Sequence, residues 1–308
     1  MGRRQSNIQK RRYNKEGYGA GMKQVSIIER FIKGKTKDED LCEDGLFVGD
    51  RFIAVIDGVT AKTKTTYEGK TTGRYASEVL QKELARIEQE ERVESTKPEQ
   101  ILSLLDQALK MSVGSTRPIP LPDYPRAAII FCDLCRQVVV SYGDCKCKIG
   151  DFVADHEKKI DVDLSEKRSK VLLECLWKGE SVEALRTDDM GRKAILQDLL
   201  EQFNHENKSG DIYGYPVLNG CGINRDMIQV YDLPCDTPVI LCSDGYPVQK
   251  NTLLESEEVL DSILEEDPLL IGKNPFGYRA TKAYKEGADS FDDRAWIKFI
   301  VTDEKSCI

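Results

Sequence analysis

The sequence predicts an α+β protein built on antiparallel strands. Four short runs rich in Val, Ile and aromatic residues read as strands: RFIAVI at 51–56, VVVSY at 138–142, PVILC at 238–242 and AWIKFIV at 295–301. Longer stretches between them carry apolar residues at helical spacing. Gly49-Asp50, set between LFV and RFIAVI, is a hairpin signal, so neighbouring strands are expected to run antiparallel rather than in a wound parallel sheet.

Taken in order, the chain opens with MGRRQSNIQKRRYNKEGYGAG, which has no hydrophobic period and reads as a flexible basic arm over residues 1–21. Residues 1–37 hold 11 Lys or Arg against two Glu, whereas the whole chain has a net charge of -8, so the remainder is strongly acidic. That acidic body argues against nucleic acid as the main ligand. The arm could touch nucleic acid or an anionic membrane, but reads first as a solvated tail. A single domain is expected over 22–303, with a tail at 304–308.

The first hairpin leads into two helical stretches, YASEVLQKELARIEQ at 75–89 and EQILSLLDQALKMS at 99–112, whose Leu, Ile and Val recur at three and four. After VVVSY the composition changes. Residues 163–208 form two further helical stretches with heavily charged outer faces, read as an excursion from the strand-rich body. The longest apolar run, AAIIFC at 127–132, is too short to span a bilayer, and the start lacks the apolar core of a signal peptide.

Ten cysteines without a secretion signal predict free thiols in a reducing, cytoplasmic setting. Cys132, Cys135, Cys145 and Cys147 imitate a zinc site. Extended chain between the two pairs separates them by roughly 30 Å, however, and predicts core or turn cysteines instead.

Each strand run meets a carboxylate at one end. RFIAVI runs into Asp57-Gly58, VVVSY into Gly143-Asp144 and PVILC into Ser243-Asp244-Gly245, while AWIKFIV is entered from Asp292-Asp293. Asp-Gly alone is ordinary turn chemistry. Four such ends can share one rim of an antiparallel sheet, because the exit of one strand lies beside the entrance of the next. Gathered carboxylates repel and raise one another's pKa unless a cation intervenes. Hard oxygen ligands select Mg²⁺ or Mn²⁺, and with only two histidines, His156 and His205, nitrogen donors are scarce.

These residues resemble the metal-dependent protein phosphatases of type 2C, the PPM family, and in particular a divergent bacterial member. The resemblance runs in motif order from about Val25 to Val301: LCEDGLFV with Glu43-Asp44, AVIDGVT, VVVSYGDCKCKIGD, ADHEKKIDVDLSEKR, ILCSDGY and FDDRAWIKFIV. It implies two packed antiparallel sheets flanked by helix pairs, with a metal centre at one end. By position, Asp57 would bridge two ions and the Gly58 carbonyl would bind one of them. Asp244 and Asp292 would hold the second, Glu43 would act through water, and Asp144 matches a third metal position found in some members. Asp57, Asp244 and Asp292 are the implied catalytic set, and 163–208 falls where the family carries its variable flap.

The implied activity is Mg²⁺- or Mn²⁺-dependent hydrolysis of phosphoserine or phosphothreonine in proteins, by in-line attack of water. The alternative is a pseudophosphatase, a regulatory module that binds a partner. Two departures bear on this choice. Val59 follows the Asp-Gly where eukaryotic members often carry histidine, and Glu39 stands where the phosphate-binding arginine is expected. Lys33, Lys35, Lys37, Lys62 and Lys64 are candidate replacements, each also readable as a solvated surface lysine. His156 is expected to order a turn, Cys145 to pack, and Trp177 and Trp296 to be core or helix-packing aromatics.

Overall fold

The computed structural model describes residues 9–13, 23–60, 63–90, 96–114 and 121–303. Two antiparallel sheets form its body. The six-stranded sheet has the order β1-β2-β13-β12-β9-β10, from β1 (Gln9–Tyr13), β2 (Lys23–Lys33), β13 (Arg294–Asp303), β12 (Pro238–Cys242), β9 (Lys146–Ile149) and β10 (Phe152–Ala154). The five-stranded sheet runs β11-β8-β7-β4-β3, from β11 (Gln229–Asp232), β8 (Val138–Tyr142), β7 (Ala127–Asp133), β4 (Phe52–Gly58) and β3 (Gly45–Val48). A small ribbon pairs β5 (Thr66–Tyr67) with β6 (Lys70–Thr71).

Side-chain alternation explains the layering. On β4, Ile53 and Val55 enter the core between the sheets, where they join Ile130, Val139, Leu241, Ile297 and Phe299. Phe52, Ala54 and Ile56 point the other way, onto Leu80 and Leu84 of α1 (Thr72–Glu88) and Ile101 and Leu105 of α2 (Pro98–Ser112). A strand buried on both faces needs an unbroken apolar run, which is what FIAVI supplies. The α1 residues recur at four, and Pro98 at the first helical position suits the start of α2.

The outer face of the six-stranded sheet is covered near α7 (Leu253–Glu266), whose Leu253 packs on Ile240, Tyr246 and Trp296. Arg294 clasps Glu257 of that helix at 3.0 Å, and the Tyr246 hydroxyl donates to the same carboxylate at 2.7 Å.

The helical excursion exists but is more broken than the periodicity predicts. It begins earlier, with α3 (Lys159–Trp177), and continues as α4 (Val182–Thr187), α5 (Met190–Ala194) and α6 (Leu196–Glu201). The expected second helix, from Thr187, starts where the Asp189 carboxylate accepts the Arg192 amide at 2.7 Å, and is cut at Ile195, whose non-helical backbone ends α5 and precedes α6. Trp177 corrects its expectation. It ends α3 at 88% exposure, whereas Trp296 is fully buried as expected. Within the expected basic arm, Gln9–Tyr13 pairs antiparallel with β2, and residues 1–8, 14–22 and 304–308 lie outside the described part. Among the described residues no helix is long and apolar enough to cross a membrane.

Candidate metal centre

Asp57-Gly58 is not a turn. Both residues belong to β4 and pair with Ala128 and Ala127 of β7, and the amide of Val59 still donates to the Arg126 carbonyl at 3.0 Å. A Cβ on Gly58 would lie 2.3 Å from the Gly73 carbonyl oxygen and 2.5 Å from that of Glu43, so glycine is required by backbone packing. The same crowding draws Glu43 to the end of β4.

Asp244 and Asp293 are brought together in the same way. A Cβ on Gly245 would stand 1.9 Å from the Asp293 carbonyl oxygen, and the Ser243 hydroxyl accepts the Ala295 amide at 2.9 Å. Only glycine permits this approach of the β12 exit to the β13 entrance. Asp144 arrives from the segment in which the chain leaves β8 in one sheet and enters β9 in the other. Four acids from strand ends of both sheets, Asp57, Asp144, Asp244 and Asp292, thus border one cavity of about 490 Å³.

Two kinds of electrostatic environment coexist there. Burial, then Asp244, Asp44, Asp144 and Asp292, push the Asp57 carboxyl well above the ordinary range. Burial with Asp144 and Asp292 pushes Asp244 up to about 6. Asp44 is also raised, by burial and by Asp293, and its Oδ2 has no hydrogen-bond partner among the described residues. Without a compensating cation, burial and mutual repulsion favour the neutral form of these acids.

Asp292 behaves oppositely. Burial acts to raise it, but Lys282 and Lys35 outweigh burial and hold it at about 2. The Lys282 ammonium pairs with its Oδ2, and Lys35 Nζ lies 3.4 Å from its Oδ1. Lys35 Nζ also stands 3.1 Å from Asp293 Oδ2, 3.3 Å from Glu43 Oε2 and 3.1 Å from Thr60 Oγ1, while its own amide donates to Asp293 Oδ1 at 2.7 Å. Despite burial, these acids hold its amine in the ammonium form. Asp144 has a lysine too, Lys158, at 2.6 Å.

Of the candidate arginine replacements, then, Lys35 enters the centre, whereas Lys33 pairs with Asp289 at 3.2 Å away from it. Lys62 lies outside the described residues, and Glu39 is exposed in the short turn before Cys42. Lys282 and Lys158 were not singled out from the sequence. Lys158 lies in the quoted ADHEKKIDVD segment and could have been, but nothing local marks Lys282. His156 orders the chain as expected, with Nδ1 2.7 Å from the Cys145 carbonyl oxygen and Nε2 2.7 Å from the Tyr231 hydroxyl. Cys145 is buried in the core between the sheets.

Among the described residues no three Asp, Glu, His or Cys side chains form a ready ligand set for one ion. The charge distribution explains where an ion fits and where it does not. Asp57 and Asp244, both raised by burial and neighbouring acids and in ion pairs with no lysine among the described residues, fit a hard divalent ion. As the side chains stand, Glu43 and Asp292 do not fit a second ion, because Lys35 lies between them.

No protein-family model and no curated protein matches the chain. Among solved structures it is similar to the Mycobacterium tuberculosis serine/threonine phosphatase PstP/Ppp, at 13% identity over 90% of this chain and 98% of that one, with a TM-score of 0.46. It is similar to the catalytic domain of the phosphatase PstP in complex with two manganese ions, at 14% identity over 91% and 100%, with a TM-score of 0.47. A third likeness is to RsbX in complex with magnesium, at 11% identity over 96% and 100%, with a TM-score of 0.40.

Proposed function

We propose that the chain is a Mg²⁺- or Mn²⁺-dependent serine/threonine phosphoprotein phosphatase of the type 2C family, acting in the cytoplasm. The observation that carries this reading is that Asp57, Asp144, Asp244 and Asp292, separated by up to 235 positions in sequence, border one cavity. A structural role alone gives no reason to gather like charges at one buried rim.

Asp57 and Asp244 would hold the ion, with the Gly58 carbonyl beside them. When bound, the ion supplies Lewis-acid activation of water and neutralises phosphoryl charge. The chain's own residues do the rest. Lys35 and Lys282 keep Asp292 ionised at any physiological pH and offset the charge of the rim acids at the cavity wall, where a dianionic phosphate must approach. Arg192, from the helical excursion, lines the same cavity and donates to the Thr281 carbonyl at 2.8 Å. Burial lowers its pKa despite nearby Asp189, so a bound anion is electrostatically welcome there. Residues of α4 to α6 wall the cavity opposite the strand ends and are placed to select the peptide around the phosphate.

The test is turnover of a phosphothreonine peptide with Mn²⁺, Mg²⁺ or chelator. Metal-stimulated release of phosphate is expected, and metal-independent release would overturn the reading. The interspersed lysines favour a second reading, a module that binds a phosphoprotein without hydrolysing it. Peptide binding with no turnover under any metal would select it.

A further inference from the structure

The lysines beside Asp292 lead to an inference that rests on the phosphatase reading and concerns how many ions the centre takes. Lys35 is not a surface lysine resting on an acid. Its amide and its ammonium are both engaged by Asp293, the first at 2.7 Å to Oδ1 and the second at 3.1 Å to Oδ2, so the side chain is clamped at both ends. Asp293 is itself fixed, since its Oδ2 accepts the Glu43 amide at 3.1 Å. Around Lys35 Nζ stand four oxygens within 3.4 Å, from Glu43, Thr60, Asp292 and Asp293. An ammonium has three protons to donate, and this shell satisfies them all.

A second divalent ion at Glu43 and Asp292 would have to enter that shell against a fixed positive charge. It would also compete for Asp292, whose Oδ2 is paired with Lys282 and whose Oδ1 accepts both Lys35 and the Asp293 amide, the latter at 3.1 Å. Glu43 is engaged through one oxygen, since its Oε2 accepts the Thr60 hydroxyl in addition to Lys35, while its buried Oε1 has no hydrogen-bond partner among the described residues. On the other side, no ammonium or guanidinium lies within 4.0 Å of Asp57 or Asp244 among the described pairs. The two halves therefore differ in what they lack. One has its cations built in, and the other has no cationic side chain paired with it among the described residues.

We infer that Lys35 is the resident cation of the Glu43–Asp292–Asp293 half, and that the centre takes one divalent ion, at Asp57 and Asp244, where a two-ion centre would otherwise form. Lys35 is thus a positioning residue that sets metal stoichiometry.

Equilibrium dialysis of the full chain against Mn²⁺, with electron paramagnetic resonance of the bound metal, tests this without reference to turnover. Wild type is expected to bind one Mn²⁺ per chain with the hyperfine signal of an isolated ion. Lys35→Gln removes the charge while keeping a hydrogen-bonding side chain, and is expected to raise the count to two, with the broadened signal of a coupled pair. Two ions in wild type would overturn the inference and leave the phosphatase reading standing. One ion in both proteins would also overturn it, because Lys35 would then not be what excludes the second. No ion in either would overturn the inference and the metal-dependent reading together. Should Lys35→Gln not fold, Lys35→Met, which keeps the length and loses the charge, takes its place with the same two outcomes.

Discussion

The acidic rim has two halves made of the same residue type and held in opposite states. At Asp57 and Asp244, burial and mutual repulsion raise both carboxyls above the ordinary range. At Asp292, equally withdrawn from water, two ammonium groups reverse the outcome. The difference teaches that burial of an acid does not decide its charge. What decides it is whether a lysine stands within about 4 Å, where the attraction exceeds the desolvation cost of keeping the carboxylate ionised.

The comparison would break first at Asp57. Asp57→Asn removes a charge and a ligating oxygen from the half without lysines, and is expected to abolish Mn²⁺-stimulated turnover by two or more orders of magnitude, at least ~2.7 kcal/mol in transition-state stabilisation. Asp244→Asn should do the same. Steady-state kinetics on a phosphothreonine peptide check both, and wild-type rates in the two variants would remove the metal centre from this half.

The next largest effect is on stability without metal. Asp244 has a folded pKa of about 6 against an ordinary 3.8, so the folded state holds the extra proton between those values and loses stability as pH rises from about 4 to about 6. The shift corresponds to about 2 kcal/mol once the partial solvent contact of this carboxyl is discounted. Asp292 has the opposite sign, with stability present above about 4 and lost as pH falls toward 2. Urea denaturation across pH 3 to 7 in chelator should show the fall from 4 to 6 in wild type and a flatter curve in Asp244→Asn. An identical slope in the two proteins would mean that Asp244 is not raised in the folded state.

A smaller change is expected at Asp292 itself. Because Lys35 and Lys282 remain to carry positive charge, Asp292→Asn should reduce turnover by about one order of magnitude, ~1.4 kcal/mol. A loss equal to that of Asp57→Asn would make the two halves equivalent and count against the built-in cations. The smallest effect bounds the others. Trp177 is 88% exposed at the end of α3, so Trp177→Ala should change unfolding free energy by less than ~0.5 kcal/mol and leave metal stoichiometry unchanged. A larger change in thermal melting would show that this side chain packs after all.

Strand runs were legible to the residue at 138–142 and 238–242, because β-branched runs there end abruptly at glycine, serine or proline. The helices over 75–89 and 99–112 were legible to within a few positions for the same local reason, an apolar stripe at helical spacing. The continuity of the excursion's second helix was not, since nothing in KAILQDLL marks Ile195 as the residue whose backbone leaves the helical region between α5 and α6. Trp177 misled because an aromatic at the end of a helix carries no mark of which way it faces.

By itself, then, the sequence determined which segments are strands and that carboxylates stand at their ends, since side-chain alternation and turn chemistry act between residues a few positions apart. Only the tertiary structure decided which carboxylate meets which cation. Lys33, Lys35 and Lys37 are indistinguishable as neighbours in a basic stretch, yet Lys35 alone among them enters the rim, and Lys282 reaches Asp292 from a segment with no strand or helix of its own. Charge compensation falls steeply with distance through space. For residues 35, 43, 282 and 292 that distance is set by the approach of two sheets, which no local pattern in the chain records.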